Sequence, residues 1–285
     1  VELINSKVSS FSWVRRESKL SSSTIDADVF VGFRCILQNA IVKKGVQIAS
    51  NAKIGGEKLT TIEKYVWIGA GAVIKGGLNI GEGAIIGANT IVEKNVPPYS
   101  IMVGQPATKL KDRNITNDSE PNFRNLINVF RRNFRDPIQK NNLQKEIEER
   151  YQKYLFNFID ADIDGNFPLH LGKNVIMIGK KISDPSGKLQ IDGGITIGKN
   201  VSIGDSTIVE GGGKVIIGDN VRIGKNVHIT STSHDYNKLS LPMTLLPVII
   251  ENDVTIEDGA QILGGVTISK GSLVNANSFV HKNIS

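Results

Sequence analysis

A lone cysteine, Cys35, in 285 residues leaves no partner for an internal disulfide, which fits a reducing compartment. Aromatic residues make up 6% of the chain against 40% apolar residues in all, so any core must be built from aliphatic side chains. No apolar run approaches the roughly 18 residues that carry a helix across a bilayer, so no integral membrane segment is expected. The opening residues, VELINSKVSS, have neither the basic start nor the apolar stretch of a secretory leader, and no initiator Met. They read as a processed or trimmed cytoplasmic chain. Charge of one sign does not dominate either. The net charge of +6 is spread along the chain, with much of the excess in residues 109–153. That is a mild attraction for an anionic ligand and no basis for a nucleic-acid partner.

What the sequence does have is a period of six. Ile36, Val42, Ile48 and Ile54 are spaced by six, and Ile62, Ile68, Ile74, Ile80, Ile86 and Val92 continue after a short break. Ile191, Ile197, Ile203 and Val209 repeat the pattern, as do Ile217, Ile223 and Ile229, and then Ile250, Ile256, Ile262, Ile268, Val274 and Val280. A helix would space its apolar residues by three and four and a half-buried strand by two; neither gives a strict six. The next residue is often glycine: Gly55, Gly69, Gly81, Gly87, Gly198, Gly204, Gly218 and Gly224. One short strand and one sharp bend per six residues reads as a parallel β-helix, with the glycines expected at the bends for their access to positive φ. A sandwich of alternating strands would need turn signals only every 8–12 residues or so, and here they come more often.

The chain holds two such arrays. Residues 61–97 and 249–285 align without a gap, pairing Glu63 with Glu251, Gly71 with Gly259, Ala88 with Ala276 and Lys94 with Lys282. Between the arrays the character changes: Phe123, Leu126, Ile127, Phe130 and Phe134, then Ile147, Tyr151, Tyr154, Leu155 and Phe158, follow helical spacing around Pro137. The expected fold is all-β dominated: a first β-helix array over 1–117, a helical linker or cap over 118–168, and a second array over 169–285. The helices would cover an otherwise unpaired β-helix end. One feature separates the arrays. Seven residues lie between Ile54 and Ile62, but twenty lie between Ile229 and Ile250, and that longer stretch contains His234. The first array has no histidine at all.

The stretch VWIGAGAVIKGGLNIGEGAIIGANTIVEKNVPPYSIMVGQPATKL (66–110) resembles the signature of the hexapeptide-repeat, left-handed β-helix acyltransferases. The second copy, PVIIENDVTIEDGAQILGGVTISKGSLVNANSFVHKNIS, is similar but looser. The likeness covers about residues 24–110 and 172–285 and is nearest to the sugar O-acetyltransferases, including the maltose and galactoside type. It implies a homotrimer with acetyl-CoA in the groove between neighbouring prisms. It also implies a catalytic histidine on a loop just before a P-V-I-I restart, the place of His234 before Pro247, Val248, Ile249 and Ile250. For the donor it points to Gly259, Ala260, Ala276 and Lys282. The second copy departs from the motif where Thr255 replaces Trp and where Glu257 and Asp258 replace Gly69 and Ala70 of the first.

Histidine suits the chemistry because an alcohol is a poor nucleophile at neutral pH and imidazole is largely neutral there. His234 would accept the acceptor's proton while a backbone N–H holds the oxyanion. Asp235, Glu251 or a main-chain carbonyl would orient the ring, and Tyr236 would offer a surface to a sugar. His228, six residues earlier, reads as an outward neighbour of Ile229 lining the acceptor site. A zinc set would need a third well-placed histidine, so no metal is expected. The resulting expectation is an acetyl-CoA-dependent O-acetyltransferase acting on a carbohydrate, such as a capsule or O-antigen unit. N-acetylation of an amino sugar, serine acetylation and a non-catalytic scaffold are the alternatives.

Overall fold

The computed structural model of the chain describes residues 1–116, 157–165, 168–183, 190–239, 241 and 243–285. They fall into two compact units, one of Val1–Arg132 with Asp235–Pro242, the other of Asn133–His234 with Met243–Ser285. The regular structure among the described residues is all strand, mostly two or three residues at a time.

In the first unit these strands stack in parallel into three columns. Leu20, Leu37, Ile54, Ile74 and Val92 lie in register down the first column. Val8, Ile25, Val42, Ile62 and Ile80 form the second. Val14, Val31, Ile48, Ile68, Ile86 and Met102 form the third. Each coil therefore takes three short sides, and each side contributes one aliphatic that sits on its counterpart in the coil below. The column residues other than Val8 and Val14 are buried in one cluster. At about 1.5–3 kcal/mol for each fully buried aliphatic, stacking coils is what stabilises units that are too small to bury a core alone.

The second unit repeats the plan. Met177, Val209, Ile229, Ile262 and Val280 are in register, as are Ile197, Ile217, Ile250 and Ile268. The third column is Ile203, Ile223, Ile256 and Val274. All of them are buried in one cluster.

Three expectations are corrected. Ile36 is 44% exposed and Leu37 fills the column, because the step from Leu37 to Val42 is one residue short of six. Ile191 is not a rung: Gln190–Asp192 pairs antiparallel with Lys181–Ser183 as a hairpin, and the coil resumes at Ile195–Ile197. The expected helical linker falls largely on residues outside the described ones. Its final part is strand, since Phe158–Ala161 and Ile163–Gly165 already pair as rungs of the second array. There Ala161 and Ile163 alternate inward, a pattern of period two.

Gly55 is at positive φ (+91), as expected of a bend, but the other glycines that follow a column aliphatic do a different job. Gly198, Gly218 and Gly224 are not at positive φ; the left-handed residue comes two positions later, at Asn200 (φ 56), Asn220 (φ 58) and Asn226 (φ 55). A Cβ on Gly198 would lie 2.5 Å from Asp219 Oδ1 of the next coil. That oxygen accepts a hydrogen bond from the Lys199 N–H at 2.7 Å. Asp205, Asn252 and Asp258 accept in the same way from Lys173, Asp219 and Lys225. Glycine permits the close approach of this ladder, and asparagine, which tolerates the left-handed region, takes the bend.

Candidate functional site

The twenty-residue excursion leaves the second unit between its first and second columns. Ile229 keeps its register with Val209 and Ile262, and Ile250 with Ile217 and Ile268. The core is therefore unaffected by what is inserted between them. Ser231, fully buried, ties the neck. Its N–H (2.9 Å) and Oγ (2.8 Å) both donate to the Glu210 carbonyl, and Oγ accepts from the Gly213 N–H at 2.8 Å. Its carbonyl accepts from the Leu246 N–H at 2.9 Å, which closes the neck. Beyond it, Thr232–His234 runs antiparallel to Met243–Leu245, with His234 opposite Met243. A two-stranded ribbon thus carries His234 to its outer end, half-buried.

The residues that follow belong to the first unit. Asp235 Oδ1 accepts from the Asn237 N–H at 3.0 Å. The Tyr236 ring meets Trp67 edge-on, with centroids 5.3 Å apart, so part of the surface expected for a sugar is already covered. Buried Arg113 donates from Nε to the Tyr236 carbonyl (2.7 Å), from one terminal nitrogen to the Lys238 carbonyl (2.6 Å) and from the other to the Gly83 carbonyl (2.7 Å). Burial pulls its guanidinium down to about 10. Neither Arg113 nor Ser231 carries a periodic or compositional signal, and sequence reasoning missed both.

His228 does not present an open ring. It is 5% exposed, with Nε2 2.8 Å from Glu210 Oε1, so the outward imidazole expected beside Ile229 is instead the buried half of a pair with a half-buried carboxylate. Glu251, a candidate to orient His234, accepts from the Lys270 N–H at 2.8 Å. The acids that replace Gly69 and Ala70 act on the next coil: Glu257 accepts from the Ala276 N–H (2.9 Å) and Asp258 from the Lys225 N–H (2.7 Å). Of the four residues expected at the donor, Ala276 and Lys282 are exposed, while Ala260 is fully buried in the core and offers packing only. Gly259 holds φ +72, and a Cβ there would meet Asn277, which explains this glycine without a ligand. Among the described residues no group of three or more His, Cys, Asp or Glu is arranged to hold a metal ion. No helix among them is long and apolar enough to cross a membrane.

A ribbon-borne histidine on a stack of six-residue rungs defines a hexapeptide-repeat β-helix protein. Three family models of hexapeptide-repeat transferases match parts of the chain, each less than half of it. The bacterial transferase hexapeptide matches residues 59–94, the GlmU-like C-terminal hexapeptide residues 2–74, and the hexapeptide repeat of succinyl-transferase residues 194–231. The chain is 48% identical over 54 residues to a chloramphenicol acetyltransferase of Klebsiella aerogenes, covering 19% of this chain and 26% of that protein. It is 36% identical over 80 residues to the serine acetyltransferase of Escherichia coli K12, covering 28% and 29%. The chain thus spans less than a third of the length of these curated relatives. A hexapeptide-repeat-containing acetyltransferase from Vibrio cholerae, solved with acetyl coenzyme A, is 26% identical with a TM-score of 0.37, over 49% of this chain and 68% of that one.

Proposed function

We propose that the chain is an acetyl-CoA-dependent O-acetyltransferase whose general base is His234, acting on a sugar hydroxyl of a surface polysaccharide such as a capsule or O-antigen unit. The observation that carries this reading is the tied ribbon that lifts His234 off the hexapeptide array while the aliphatics on either side keep their register. In the proposed reaction His234 accepts the proton of the acceptor hydroxyl as its oxygen bonds to the thioester carbonyl carbon. The tetrahedral intermediate collapses with loss of the C–S bond, and the imidazolium returns the proton to the CoA thiolate. The products are an acetyl ester and free CoA, with no covalent enzyme intermediate. Cys35 takes no part: it is buried in the first unit, and burial pushes its thiol up to about 12.

The donor would lie along the exposed rung of Ala276 with its phosphates toward Lys282; Gly259 and Ala260 would shape the wall without touching it. Asp235 and Tyr236 would meet the acceptor, and the working form would be a cytoplasmic homotrimer. The name of the Escherichia coli relative favours a second reading, in which the same base serves the hydroxyl of serine; an amino sugar is the further alternative acceptor. Release of free thiol from acetyl-CoA, followed across neutral sugars, amino sugars and serine, separates these readings. Turnover only with a neutral sugar is expected; turnover with none of them would overturn the enzymatic reading.

A further inference from the structure

We infer that Arg113 is a positioning residue for acetyl transfer: its guanidinium fixes the main chain at 236–238 and so sets the segment that directly follows His234. The inference rests on the reading of His234 as the base. Three features carry it. First, the three hydrogen bonds of the Arg113 guanidinium go to main-chain carbonyls, those of Gly83, Tyr236 and Lys238, so they fix the path of the backbone rather than the rotamer of any side chain. Second, Arg113 is 5% exposed, and a guanidinium is withdrawn from water without loss only when its donors are satisfied. Third, the grip is not a single point: the Thr116 N–H donates to the Asn237 carbonyl at 2.9 Å, and the Tyr236 ring lies against Trp67.

Arg113 stands immediately after the strand Thr108–Asp112, in the tail that follows the best-conforming repeats of the first array. That array has no histidine and no long excursion of its own. Only a planar fork with diverging donors serves three carbonyls at once; an ammonium is a point donor and does not replace it.

The test compares Arg113→Ala and Arg113→Lys with the parent chain by three readouts. Hydrogen exchange of the amides at 235–239, read on the protein alone, is expected to quicken by about tenfold or more in both variants. With the best acceptor, kcat is expected to fall by about 10- to 100-fold while the KM for acetyl-CoA stays within about twofold, as befits a displaced base rather than a lost donor site. Millimolar free guanidinium is expected to restore part of the Ala variant's kcat, and ammonium none of it. Should the Ala variant fail to fold, Arg113→Lys carries the comparison. Unchanged exchange at 235–239, or unchanged kcat in a folded variant, would overturn the inference. If the parent itself transfers no acetyl group to any acceptor, the functional reading falls, while the exchange result still decides whether Arg113 holds the segment.

Discussion

The corner between Ile54 and Ile62 and the corner between Ile229 and Ile250 occupy the same place in their arrays, between the first and second columns. In the first array the chain crosses it in seven residues as part of one continuous strand, Lys53–Ile62. In the second it takes twenty and builds a ribbon bearing His234. In both, the flanking aliphatics keep their register with the coil above: Ile54 on Ile74 and Ile62 on Ile80, Ile229 on Ile262 and Ile250 on Ile268. The difference teaches that a corner of this solenoid accepts inserted chain without disturbing the core, because each inward residue is held by its neighbours along the column. The scaffold and the chemistry can therefore vary independently.

That comparison can be broken directly. Replacing the residues between Ile229 and Ile250 with the seven of the first array should abolish acetyl transfer, while stability falls by only about 1–3 kcal/mol, because the buried Ser231 and Val248 are lost with the ribbon. Thiol release together with thermal melting reads both, and surviving transfer would show that the ribbon is not the site. The columns themselves are tested by a pair of substitutions. Ile250→Ala should cost about 2–5 kcal/mol in denaturant unfolding, because Ile250 is fully buried. Ile36→Ala, at a position that also fits the six-residue spacing but is 44% exposed, should stay within about 0.5 kcal/mol.

A smaller effect separates the units by pH. The Cys35 thiol is raised by burial from 9.0 to about 12, so in the unfolded chain it ionises first. Its contribution is intact below about pH 9 and is lost as the pH climbs toward 12. Cys35→Ala should flatten the alkaline fall of the unfolding midpoint. An unchanged slope would mean that the buried thiol is not linked to folding.

Much of this was legible in the sequence. The period of six specifies a solenoid because a short side with one inward aliphatic has no other way to bury it, and the gap between Ile229 and Ile250 marked the excursion. The errors have physical causes. Ile36 and Leu37 are equally apolar, and only the shortened step to Val42 selects Leu37. Gly198, Gly218 and Gly224 were read for φ, when the neighbouring coil's Asp and Asn ladder is what requires them; those contacts span 20 to 33 residues and leave no local trace. His228 looked available because nothing nearby in sequence announces Glu210, eighteen residues away on the rung below. Ser231 and Arg113 act through main-chain carbonyls, which no side-chain pattern encodes.

The central claim is that the difference between the two corners is a catalytic difference, carried by one imidazole. Its most direct test is the rate of acetyl transfer by His234→Ala set beside the parent chain, with acetyl-CoA saturating and both proteins shown by melting to be equally folded. A loss of about 10²- to 10⁴-fold, with acetyl-CoA still stabilising the fold, is expected of a general base. A rate within a few-fold of the parent would contradict the assignment and return the excursion to an ornament of the second array.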